Sequence, residues 1–157
     1  MTKDIKIIDA LKKETVIPYL HSKTKPELIR EISECVALSY PNINAESLME
    51  VLLEREKLCS TAVDSGVAIP HGKLSGLLNI IAAFGRSVEG IDFESIDGKL
   101  THLFILLVAP ENSSGAHLKL LSRISRLFKD SEFRSRIMEA KSQDEIYEII
   151  SEEDERY

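Results

Sequence analysis

Apolar residues recur along this chain with two different periods, and the changes between them mark out its elements. Leu28, Ile29, Ile32, Cys35, Val36 and Ser39 follow helical spacing, with Thr24 as the cap and Pro26 and Glu27 in the first turn. This predicts a helix from Thr24 to about Tyr40, ended by Pro41 and Asn42. Asn44 caps a second helix running to about Leu58, with Ser47 where a capping-box Glu would serve better. Upstream, Ile7-Ile8-Asp9-Ala10-Leu11 is a short helical pattern. It leads into Val16-Ile17-Pro18-Tyr19-Leu20, whose proline predicts an edge strand. Residues 60–76 read as loop with a short strand through Val67-Ala68-Ile69. Two continuous apolar runs, residues 78–84 and 103–109, predict strands buried on both faces, which need helices on each side. Between them, residues 89–93 and 96–99 read as turns. Helices are expected over about 115–129, 131–140 and 143–152, fraying into the acidic end Glu152-Glu153-Asp154-Glu155. The sum is an α/β single domain over residues 1–157, its mixed β-sheet covered by helices on both faces. Its core spans about 7–151, and an acidic tail follows over 152–157.

Composition narrows the function. The chain has 157 residues, 43% of them hydrophobic, enough to bury roughly 68–70% of its unfolded surface without disulfides or metal. The net charge is −6 and no basic block exceeds Lys12-Lys13, which argues against nucleic acid as the main partner. No apolar run approaches the ~20 residues of a membrane helix, so no membrane insertion is expected. Met1-Thr2-Lys3-Asp4 lacks the apolar core of a signal peptide. Cys35 reads as core, and nothing marks Cys59 as activated. A cytoplasmic location is the simplest expectation.

Three polar residues stand where the pattern points away from open solvent. His71 follows an apolar strand pattern and is fenced by Pro70, which fixes the backbone, and Gly72, which permits a sharp turn or a close backbone approach. Taken alone, the tripeptide favours an inconsequential turn histidine. His117 opens the face Leu120, Leu121, Ile124, Leu127 and Phe128 at a helix N-terminus, where free N–H groups favour an anion and keep the imidazole neutral. A satisfied core histidine is the plain alternative. Arg55 continues the face of Leu48, Val51 and Leu52, whereas Glu54, Glu56 and Lys57 fall elsewhere. Its guanidinium needs an acceptor, either a phosphate or a carboxylate such as Glu54 or Asp64. Ser60 and Thr61 add hydroxyl donors. Together these groups make a site of phosphate size. No metal is expected, since the two histidines lack a third ligand at metal spacing. Nucleophile-elbow and nucleotide-loop signatures are missing too. His21 and His102 lie outside this group.

At this point the chain resembles the enzyme IIA domains of the fructose–mannitol class of the bacterial phosphotransferase system, and within them the nitrogen-regulatory branch most. The resemblance rests on Arg55-Glu56-Lys57-Leu58-Cys59-Ser60-Thr61 followed by Val67-Ala68-Ile69-Pro70-His71-Gly72-Lys73. It continues through Phe93-Glu94-Ser95-Ile96-Asp97 and Leu106-Leu107-Val108-Ala109-Pro110 to His117-Leu118 and Leu121. Cys59 and Ala62 depart from it, standing where smaller residues, often Gly, are usual. It implies the mixed sheet between helices of that class, His71 as the phosphorylated histidine (through Nε2), His117 as the second active-site histidine, and Arg55 beside the phosphoryl group. Ser60 and Thr61 are expected as supporting donors. The implied phosphoryl donor is HPr or a nitrogen-branch HPr homologue. The implied downstream partner is a regulatory target protein or, in a sugar-specific domain, a IIB protein. No cofactor is called for, since the donor is a phosphoramidate and not ATP. A backbone carbonyl is expected to hold Nδ1–H of His71.

Overall fold

The computed structural model describes residues 5–157; the N-terminal stretch 1–4, read above for a signal-peptide core, lies outside them. A five-stranded mixed sheet forms the centre. Its strands are β1 (Leu11–Ile17), β2 (Val67–Ala68), β3 (His71–Lys73), β4 (Ile81–Ile91) and β5 (Thr101–Ala109). The order is β1-β4-β5-β2, and β3 also pairs with β5. Only β4 and β5 are antiparallel; β1 runs parallel to β4, and β2 and β3 run parallel to β5.

Side chains on successive strand residues point to opposite faces, and here both faces are apolar. Ala83, Phe104, Leu106 and Val108 meet α2 (Lys25–Ser39) and α3 (Ala45–Leu58) through Leu28, Ile32, Val36, Leu48 and Leu52. Ala82, Phe84, Ile105 and Leu107 meet α4 (Ser114–Leu127), α5 (Ser131–Glu139) and α6 (Gln143–Arg156) through Leu120, Ile124, Phe133, Ile137 and Ile146. A short α1 (Ile7–Ala10) joins that second layer. The expected caps form: Thr24 and Glu27 make a reciprocal capping box, and Asn44 Oδ1 accepts from Ser47 N at 3.0 Å. Among the described residues, no helix is long and apolar enough to cross a membrane.

Four readings change. The edge strand begins at Leu11, and Pro18 lies just beyond its end; Lys12, Lys13 and Glu14 are exposed, so the strand lacks an apolar pattern there. β4 starts at Ile81, with Leu78 exposed, and runs on through residues 89–91 where a turn was expected. Two features carry it that far. Arg86 is buried because its guanidinium donates to the carbonyls of Pro18 (2.9 Å), Ile137 (2.9 Å) and Ala140 (2.5 Å). Gly90, at φ 90°, sits where the pairing with β5 slips, and a Cβ there would come 2.8 Å from Leu100 Cβ. Cys35 is half-buried and not core, its thiol set against Glu14 O at 3.5 Å. The acidic end does not fray. α6 continues to Arg156 because Asp154 is fully buried, accepting from Arg123 Nε at 2.7 Å and from Ile8 N at 3.0 Å.

Candidate functional site

β2 and β3 are one line of chain broken at Ile69 and Pro70, both segments lying alongside β5. Proline has no N–H to offer a ladder, but its carbonyl still accepts from Leu107 N at 2.9 Å. His71 is therefore the first residue of a short strand of its own, opposite Leu107. At the break, the Ile69 carbonyl is free to meet the imidazole, and Nδ1 of His71 lies 2.7 Å from it. A carbonyl only accepts, so Nδ1 carries the hydrogen and Nε2 keeps its lone pair. The carbonyl partner expected from the resemblance is thus Ile69.

Gly72 explains how β3 reaches α3. A Cβ on it would stand 2.5 Å from Val51 Cγ1, so only glycine lets the strand close on that helix. One turn beyond Val51, Arg55 lies half-buried and donates through Nη1 to Cys59 O at 3.0 Å. Neither carboxylate considered for it is its partner; Glu54 pairs with Lys57 at 2.9 Å. Burial pushes the His71 imidazole below its ordinary value, and the Arg55 charge adds to this, while the Ile69 carbonyl and Glu56 act the other way.

His117, 7% exposed, sits in the first turn of α4 and brings its ring centroid to 5.7 Å from that of His71, the planes tilted by 52°. Its Nδ1 is buried without a hydrogen-bond partner. Burial lowers its pKa first, then the charges of His71 and Lys73. At neutral pH both imidazoles are therefore uncharged, His71 with a bare Nε2 and His117 with a buried, unpartnered Nδ1.

Ser60 and Thr61 lie in the same loop, but their hydroxyls are engaged inside it. Ser60 Oγ donates to Phe93 O at 2.5 Å and accepts from Ala62 N at 3.0 Å. Thr61 donates both its N–H (3.1 Å) and its hydroxyl to Glu56. Glu56 corrects the reading of α3: it is buried, at 7% exposure, while Arg55 is only partly so. The signal was present in the stripe Leu48, Leu52, Glu56, spaced four apart on one face. Lys73 was also missed. Two residues beyond His71 in β3, it shares that residue's side of the strand, and its Nζ donates to Ser114 Oγ at 2.6 Å at the start of α4. No cluster of three or more His, Cys, Asp or Glu side chains suited to a metal ion occurs among the described residues.

Comparison with known proteins gives this geometry a context. The sequence model of the family described as phosphoenolpyruvate-dependent sugar phosphotransferase system, EIIA 2, matches residues 9–153. A Bradyrhizobium diazoefficiens protein named nitrogen regulatory protein is 39% identical over 145 residues, 92% of this chain and 94% of that protein. A fructose-specific EIIABC component of Bacillus subtilis is 37% identical over 150 residues, 96% of this chain; the chain spans only 24% of that protein's length. The crystal structure of nitrogen regulatory protein IIA-Ntr from Neisseria meningitidis superposes with a TM-score of 0.84 at 31% identity, covering 90% of this chain and 97% of that one.

Proposed function

The chain belongs to the EIIA 2 family of the phosphoenolpyruvate-dependent sugar phosphotransferase system, and on that footing we propose that His71 is its phosphorylated residue and nitrogen regulation its output. As a member of that family it is a phosphotransferase component working through a phosphohistidine. Domains of this kind take phosphate from HPr-like donors and hand it to protein partners.

One observation carries the assignment of His71: the 2.7 Å hydrogen bond from Nδ1 to Ile69 O, which leaves Nε2 as the nucleophile. Nε2 attacks the phosphorus of the donor's phosphohistidine. The P–Nε2 bond forms as the donor's P–N bond breaks, and that electron pair returns to the donor ring. Nδ1–H stays on the carbonyl, where positive charge on the phosphorylated ring strengthens the bond. His117 and Arg55 donate to the equatorial oxygens as charge spreads over them. Ser60 and Thr61 support this pocket by shaping its loop. The donor is HPr or a nitrogen-branch HPr homologue, met in the cytoplasm. Label supplied from a phosphorylated HPr-type donor should appear on the wild-type protein and not on His71→Ala. Label retained by the variant would overturn the assignment.

The regulatory output is supported by the nitrogen regulatory relative, matched along 94% of its length. Phosphorylation would add about −1.5 to −2 charges beside His71 and switch affinity for a regulatory target protein. The fructose-specific relative favours a second reading, transfer onward to a IIB unit, which for this chain would be a separate IIB protein. Label moving from the phosphorylated chain to an added IIB protein would select that reading.

A further inference from the structure

A carboxylate buried behind the site has no part in the transfer as written above. Glu56 lies in the last turn of α3 and is 7% exposed. A buried carboxylate needs partners, and Glu56 has three donors. Lys25 Nζ is 2.8 Å from Oε1, Thr61 N donates to Oε1 at 3.1 Å, and the Thr61 hydroxyl donates to Oε2. Lys25 is itself largely buried and lies 4.7 Å from the centre of the Phe93 ring. The backbone carbonyl of Phe93 takes the hydroxyl of Ser60, the neighbour of Thr61.

The path does not end at Thr61. Its own carbonyl accepts from Ile69 N at 3.1 Å, and the carbonyl of Ile69 is the one that holds Nδ1 of His71 at 2.7 Å. A continuous line of hydrogen bonds therefore runs from Lys25 through Glu56, Thr61 and Ile69 to the nucleophilic ring. Ile69 and Pro70 form the break between β2 and β3, so the ladder to β5 does not by itself fix the direction of the Ile69 carbonyl. The loop holding Thr61 grips Ile69 from its other side, through the bond from Ile69 N to Thr61 O.

We propose that Glu56 is a positioning residue for phosphoryl transfer, setting the tautomer and orientation of His71 through Thr61 and Ile69. This rests on His71 being the phosphorylated residue, and it gives Thr61 a task other than touching phosphate. Outer groups that fix a ring's tautomer are known to matter for its chemistry even though they never meet the reacting atoms.

Long-range ¹⁵N–¹H spectra read the tautomer of His71 directly, with no phosphoryl donor present. In the wild-type protein we expect the hydrogen on Nδ1 and Nε2 bare. In Glu56→Gln and Thr61→Val the ring should populate the other tautomer, and transfer from a phosphorylated HPr-type donor should fall by about 10-fold to 100-fold. Thr61→Ser, which keeps both donors, should restore the wild-type tautomer and rate. A folded Glu56→Gln with the wild-type tautomer overturns the proposal, whether its transfer is slow or unchanged. Should Glu56→Gln fail to fold, the Thr61→Val and Thr61→Ser pair decides by the same readout. If the wild-type protein takes no label while the variants still shift the tautomer, the phosphoryl-transfer reading fails and the positioning of the ring by Glu56 stands.

Discussion

His117 stands 5.7 Å from His71, ring centre to ring centre, with its Nδ1 buried and without a partner. An orphaned buried nitrogen costs stability, so the helix that carries His117 holds it there against its own interest.

His117→Ala should lower the rate of phosphoryl acceptance by about 100-fold to 1,000-fold, the usual result of losing one donor to a developing charge. The same variant should melt no lower than a simple loss of packing volume implies, because the orphan disappears with the ring. Rapid-quench labelling and thermal unfolding together check both halves. Full-rate transfer would remove His117 from the chemistry.

Both site histidines have folded pKa values below their ordinary value near 6.5, burial being the main cause. Below about pH 6.5 the unfolded chain therefore binds more protons at these two positions than the folded one. The linkage makes stability fall as the pH drops from there through the lower folded values. Above pH 6.5 both states are neutral and the contribution is flat. Urea titrations of wild-type protein and of the His71→Gln, His117→Gln double variant should diverge in slope only in the acidic window. Phosphoryl acceptance should likewise persist somewhat below pH 6.5, since the nucleophile stays unprotonated there.

Gly72→Ala should destabilise the protein by about 1–3 kcal/mol, the range of an overpacked contact, because the new methyl meets Val51 Cγ1 at 2.5 Å. Val51→Ala in the same chain should recover most of that loss. Failure of the double variant to recover would show that the glycine is needed for backbone freedom and not for space.

Asp154→Ala should cost about 3–5 kcal/mol, as when one partner of a buried ion pair is removed, because Arg123 would lose its carboxylate while remaining nearly enclosed. Denaturant unfolding checks this. A loss below 1 kcal/mol would show that water and the backbone carbonyls of Asp154 and Tyr157, to which Arg123 already donates, suffice for the guanidinium.

The sequence was most legible where one residue type has one physical use. Pro70 and Gly72 around His71 announced a presented ring, and the stripe behind His117 placed that residue on an inward face. Helix caps at Thr24 and Asn44 were readable because a side-chain oxygen two or three residues ahead of free N–H groups has few other roles. Legibility failed where polar residues are buried by long-range partners. Arg86 is carried by carbonyls about fifty to seventy positions away in either direction, Glu56 by Lys25, and Asp154 by Arg123. No local period encodes such matches. β1 was only partly legible for a related reason: its exposed Lys12, Lys13 and Glu14 hide a strand held on β4 by its backbone ladder and by the buried Thr15 hydroxyl, which donates to Ala82 O at 3.0 Å.

The hydrogen bond between Ile8 N and Asp154 joins positions 146 residues apart, so the two extremes of the described chain are spatial neighbours. The fold is in effect a ring with one covalent gap. Joining α6 back to α1 with a short flexible linker, and cutting instead at the turn that carries the 98%-exposed Ile96, would give a circular permutant. Its sheet, and the His71 and His117 pair on it, would keep their present neighbours, with only the order of synthesis changed.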